Sequence, residues 1–155
     1  MKMRIAVLSV AVCLAGLASS FADDPHMGTW KLNEAKSTFA PGATKNTAVT
    51  YAAAADDAVK VTVDGVDKDG KTMHNEWVGK FDGKDYAVTG EPNYDSRAYK
   101  KVDARTMEMT IKKGGKVFST GKIVVSADGK SRTVTTSAVD PAAKTMAITA
   151  VYDKQ

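Results

Sequence analysis

The sequence predicts an all-β domain, an up-and-down antiparallel meander of about eight to ten strands that closes into a lipocalin-like barrel. Three observations predict it. Turn signals recur at a nearly even beat: Asp56-Asp57, Asp69-Gly70, Asp82-Gly83, Gly114-Gly115, Asp128-Gly129 and Asp140-Pro141, with weaker breaks at Pro92-Asn93 and Asp103-Ala104-Arg105. Asp-Gly and Gly-Gly supply the positive φ angles that tight hairpins need. The runs between these breaks alternate apolar and polar residues, the period-two pattern of a strand with one buried face. No stretch after residue 22 shows a sustained 3.6-residue period; Asn33 to Lys36 is read as one helical turn at most.

Taken in order, the chain opens with Lys2 and Arg4, an uncharged apolar run from Ile5 to about Leu17, and Ser20-Phe21-Ala22 with small residues at −3 and −1. That is the pattern of a secretory signal peptide, here residues 1–22, cleaved ahead of Asp23. The run is too short for a comfortable membrane span of ~20 residues. Cys13 sits inside the apolar run behind Val12, not at its end behind a small residue, so it reads as part of the leader and not as a lipidation site. Residues 23–155 then form a single domain without cysteine, compatible with an oxidising periplasmic or extracellular compartment.

The strands are placed near 27–33, 45–54, 58–67, 71–80, 84–89, 95–102, 106–113, 116–126, 130–139 and 144–153. Val59, Val61 and Val63 share one face against Lys60, Thr62 and Asp64; Met107, Met109 and Ile111 oppose Thr106, Glu108 and Thr110. Met146, Ile148, Ala150 and Tyr152 repeat the pattern less cleanly. A long twisted meander buries its apolar face and removes its edges most simply by closing on itself. A two-sheet sandwich needs longer crossing connections than these. A transmembrane barrel needs a lipid-facing apolar band, which Ser96-Arg97-Ala98-Tyr99-Lys100-Lys101 does not offer.

Loss of Lys2 and Arg4 with the leader lowers the formal charge from +4 to +2, so bulk attraction to nucleic acid is not expected. The charge is uneven: 23–95 is net negative and 96–132 net positive. Lys100, Lys101, Lys112, Lys113 and Lys116 crowd three consecutive strands and their turns. This predicts a one-sided basic patch able to meet an anionic membrane surface, with a solvated face as the plainer reading.

Gly28-Thr29-Trp30-Lys31-Leu32 near the start and Ala150-Val151-Tyr152-Asp153-Lys154 near the end resemble the calycin superfamily, of an exported, bacterial type. Lipocalins share the Gly-x-Trp, and fatty-acid-binding proteins share both ends. The resemblance implies a structural role for Gly28 and Trp30, with the Trp closing one barrel end and a late basic side chain laid across it. Arg132 and Lys154 are both candidates for that contact. Two departures stand out. The segment from Glu34 to Asn46, broken by Pro41-Gly42, cannot hold the two lid helices of the fatty-acid group. Ala150 also stands where that group places the carboxylate-gripping Arg, although Tyr152 matches its Tyr.

Catalytic and metal chemistry are not indicated. His26 lies in the leading segment and His74 in a strand beside Glu76, with no cysteine to join them. Ser37, Ser96 and Ser126 sit in no nucleophile elbow. Asp67-Lys68-Asp69-Gly70 with Glu76 partly matches a calcium loop, but Gly65 occupies the first ligand position and a hairpin explains the segment better. No enzyme, cofactor or metal is expected, and the domain reads as a monomer.

What remains is a barrel that binds a small, mainly apolar molecule or lipid. Its interior candidates are Val49, Tyr51, Val61, Val63, Met73, Trp77, Met107, Met109, Ile111, Met146, Ile148 and Tyr152, each of them first a core residue. The alternative is a filled barrel acting through its surface as a cell-envelope module. An interior void of at least ~300 Å3 separates the two. Because Ala150 offers no charge, a neutral ligand is expected over a free fatty acid.

Overall fold

The computed structural model describes residue 21, residues 23–139 and residues 147–155. Residues 1–20 and 22 of the expected leader, Cys13 among them, the Asp140-Pro141 turn and Met146 lie outside the described residues.

Ten strands follow in order: β1 (Gly28–Leu32), β2 (Lys45–Ala53), β3 (Val59–Val66), β4 (Thr72–Gly79), β5 (Tyr86–Thr89), β6 (Ser96–Lys101), β7 (Thr106–Lys113), β8 (Lys116–Val125), β9 (Ser131–Ala138) and β10 (Ala147–Lys154). Each pairs antiparallel with its neighbours in sequence, and β1 pairs with both β2 and β10, so the sheet closes into a barrel. The predicted fold class is the observed one. The helical turn is a single 3-10 turn, Glu34–Lys36, capped by Asn33, whose side chain accepts the Lys36 N–H at 3.2 Å.

Alternation sets the register. Val59, Val61 and Val63 point inward and are buried, while Lys60, Asp64, His74 and Glu76 face outward, Asp64 paired with His74 and Lys60 diagonal to Glu76. There Lys60 contacts Glu76 at 2.6 Å, and His74 Nδ1 lies 2.7 Å from Asp64. His74 is a surface cross-strand residue whose pKa is raised, chiefly by its hydrogen bond to Asp64. The Asp67 carboxylate accepts the Asp69 and Lys71 N–H groups of its own turn, which accounts for the segment that mimicked a calcium loop.

The interior packs most densely at the end where the chain enters and leaves. Trp30, Trp77, Met107, Ile123, Val59, Val61 and Val125 are all fully buried there. Phe81 stacks on Trp77 at 6.4 Å between centroids, and Tyr99 meets the Trp77 ring edge-on at 4.9 Å. Gly79 makes room for this cluster, since a Cβ there would stand 2.5 Å from the Tyr86 ring and 2.6 Å from that of Trp77. Strand β5 is shorter than the predicted 84–89, starting at Tyr86, and residues 81–83 ahead of it already run beside β6. Lys101 N–H donates to Phe81 O, Gly83 N–H donates to Tyr99 O, and Asp82 bridges to Lys100.

Candidate functional site

The opposite end of the barrel is open. The turns after β3, β5 and β7 lie there, together with residues 39–44. A cavity of about 640 Å3 runs from this mouth into the interior. Its walls follow from the inward positions of the strands: Val49 and Tyr51 on β2, Val63 on β3, Met109 and Ile111 on β7, and Val134 on β9. Phe39 and Phe118 flank the entrance.

Of the interior residues expected from sequence, Tyr51, Val63, Met73, Met109, Ile111, Ile148 and Tyr152 border this cavity, as does Val49. Val61, Trp77 and Met107 do not. They lie deeper, packed into the closed end, where side chains already fill the space. Ala150 also borders the cavity, from β10.

The cavity is not wholly apolar. Arg132 on β9 lies at its closed end and Arg97 on β6 lies higher, level with Ile111, and the two are 2% and 3% exposed. Arg97 donates from Nη1 to Tyr99 Oη at 3.2 Å and from Nη2 to Asn75 Oδ1 at 3.3 Å and to Tyr94 Oη, while its Nε has no partner in the protein. The Arg132 guanidinium lies 5.0 Å from the Trp30 ring and 4.9 Å from those of Tyr51 and Tyr152, with Nε and Nη1 unpartnered. Neither arginine joins any ion pair among the described residues. A guanidinium stays charged at any physiological pH. Burial pushes the Tyr152 hydroxyl up to about 12 and raises those of Tyr99 and Tyr94, so these phenols remain protonated donors.

The premise behind the expected neutral ligand therefore fails. Ala150 carries no charge, but the register pairs Arg132 directly with Tyr152 on the adjacent strand, and Arg97 enters from across the barrel. A signal for both was present: Arg97 is two residues from Tyr99 and Arg132 two from Val134, on the same face in each case. The Trp30 contact left open between two cations is made by both. Arg132 covers the ring from within, and Lys154 Nζ lies 5.1 Å from it.

The five lysines do not form one free cationic face. Lys101 pairs with Asp24 and Lys112 with Asp85, both at 2.6 Å. Lys113 donates to Pro92 O at 3.3 Å, and Lys100 stands opposite Glu108. Lys101 is at the closed end of the barrel, whereas Lys113 and Lys116 are at the mouth, roughly 20 Å away along β7. Ser37 and Ser126 use their hydroxyls on backbone and turn groups. Among the described residues, no three His, Cys, Asp or Glu side chains gather as metal ligands would.

No family model matches the chain, and no curated protein does. Among solved structures it is similar to a redesigned beta barrel, mFAP1, bound to DFHBI, with a TM-score of 0.48 at 12% identity, over 84% of this chain and 95% of that one. It is also similar to EF1p2_mFAP2b bound to DFHBI, with a TM-score of 0.46 at 12% identity, over 89% of this chain and 100% of that one. At this level the likeness carries no functional argument.

Proposed function

We propose that the chain is an exported, lipocalin-like barrel that holds a small, mainly apolar molecule in its interior. The observation that carries this reading is the cavity of about 640 Å3, within the ~300–1,000 Å3 range of small-molecule pockets. A barrel acting only through its surface has no need to leave such a space among Val, Ile, Met and Phe side chains, because each unfilled volume costs packing energy. The polar groups that border the cavity favour holding over turnover, since the phenols stay protonated and the guanidinium groups cannot serve as bases.

The test is titration of delipidated protein with a homologous series of alkyl compounds, followed by calorimetry or Trp fluorescence. Affinity should rise about fourfold for each added CH2 until the cavity is full, from ~0.8 kcal/mol per buried methylene. A flat series, or no binding, would favour the filled-barrel module.

Export is part of the same proposal, and the leading segment keeps anchors past the expected cleavage point although Phe21, ahead of it, packs against the core. Asp24 accepts from Lys101, and the His26 carbonyl accepts the Trp30 indole N–H at 2.9 Å. A mature chain starting at Asp23 keeps both. Intact-mass measurement of the exported protein should give residues 23–155; a product that retains 1–22, or carries lipid on Cys13, would refute this.

A further inference from the structure

We infer that one lip of the barrel mouth, formed by the β7–β8 hairpin and the end of β9, is a docking surface for an anionic phospholipid bilayer. The inference adds a partner to the proposed ligand-binding role, and it is tested with no ligand in the cavity.

Val117, Phe118 and Val139 are 43%, 42% and 53% exposed. They gather in one corner, where the Val139 N–H donates to Phe118 O at 3.0 Å. An irregularity in the sheet builds this corner. Ile111 pairs with Ser119 and Lys112 with Val117, so Phe118 is an extra residue on β8. Such a bulge bends its strand and re-aims the side chains around it. Here Phe118 borders the cavity at its entrance and tilts against Tyr94, with 6.2 Å between ring centroids. It thus joins the exposed apolar corner to the interior.

Cations stand beside this corner. Lys113 and Lys116 are paired directly across the Gly114-Gly115 turn, both exposed, and neither joins an ion pair among the described residues. Like charges opposed in this way repel, so the hairpin gains from an anion outside the protein. The Asp95 carboxylate accepts the Gly114 N–H at 2.7 Å and fixes the hairpin. Its tip projects freely, because a Cβ on Gly114 or Gly115 would meet nothing within 4 Å. The acidic groups of the other mouth turns are engaged locally. Asp67 accepts N–H groups of its own turn, Asp69 pairs with Lys68, and Glu91 accepts from Asn93. Docking therefore uses the β7–β9 lip alone.

Three apolar side chains fall far short of the ~800 Å2 that each partner covers in a stable protein complex. They suit a bilayer interface, where a small apolar surface and a few lysines suffice together for reversible binding.

The experiment is co-sedimentation of the exported, delipidated protein with vesicles of phosphatidylcholine, alone or mixed equally with phosphatidylglycerol. Binding to the anionic vesicles should exceed that to the neutral ones roughly twentyfold and weaken between low and physiological salt. Lys113→Gln combined with Lys116→Gln should remove most of that difference, at about fivefold per lysine. Phe118→Ser should lower binding to anionic vesicles roughly fivefold to tenfold. Val102→Ser, at an exposed valine in the β6–β7 turn of the closed end, should leave it unchanged. The lysines are on the surface, so their variants test the lip whatever Phe118→Ser does to the fold. Absence of binding to anionic vesicles, or an equal loss in Val102→Ser, would overturn the inference. The alkyl titration uses no vesicles, so the proposed function would stand or fall separately. A dimer that Phe118→Ser dissolves, with no vesicle binding, would assign the lip to a second copy of the chain instead.

Discussion

Trp30→Ala should lower the free energy of unfolding by about 3–5 kcal/mol, the cost of truncating a buried large aromatic. Three separate losses coincide at this position. The fully buried indole fills the closed end of the barrel, and its removal leaves a void among Val49, Tyr51 and Tyr152 that stiff neighbouring strands can only partly close. Its N–H is the donor to the His26 carbonyl, which holds the leading segment against the barrel. Its ring is one of the three aromatic faces over Arg132, so the substitution also leaves a buried guanidinium less compensated. Residue 30 further sits on β1, the strand that closes the barrel between β2 and β10. Trp30→Phe keeps most of the volume and one ring face but loses the hydrogen bond, and should recover more than half of the loss. Urea unfolding of both variants supplies the check. A near-unchanged midpoint for Trp30→Ala would show that the residue does not plug the barrel.

The elements legible in the sequence were those fixed by local chemistry. Asp-Gly and Gly-Gly pairs marked hairpins because few residues tolerate positive φ, and alternation marked the inward face because the pleat repeats every two residues. β5 begins two residues later than expected, at Tyr86, and residues 81–83 ahead of it already run beside β6, where Phe81 stacks on Trp77. The walls of the candidate site were readable as apolar strand positions. Its polar groups were harder to read: Arg97 shares the inward face with Tyr99, but it stands in a run with Lys100 and Lys101 that resembles a solvated face. Arginine is a surface residue by default. Only the pairing of β4, β5 and β6, which brings Asn75, Tyr94 and Tyr99 around one guanidinium, makes the interior position tenable.

Acidification from about pH 6.5 to pH 4 should destabilise the folded domain through His26. This histidine is fully buried, and neither ring nitrogen has a partner in the protein. Burial is the main cause that lowers its pKa from the ordinary 6.5 to about 4; Asp24 opposes that shift, while Arg132 and Lys101 add to it. Between these two values the unfolded chain binds a proton that the folded chain refuses. Stability therefore rises with pH across this window and is lost as pH falls through it, by roughly 3 kcal/mol in all at ~1.4 kcal/mol per unit. Other groups titrate differently. Asp67, Glu76, Asp82, Asp103 and Asp128 are held below their ordinary values, so their contributions fall away below pH 4, and they are solvent-exposed and weak. His74, with its raised pKa, has the opposite sign and acts above 6.5. His26→Leu, which places no titratable group in the same pocket, should remove the slope between pH 4 and 6.5 while leaving the steeper acid limb below it. Urea midpoints of wild type and variant, taken every half unit, isolate the effect as a difference. A difference that stays constant over that range would mean that His26 takes up its proton in the folded state, and hence that water reaches the closed end of the barrel.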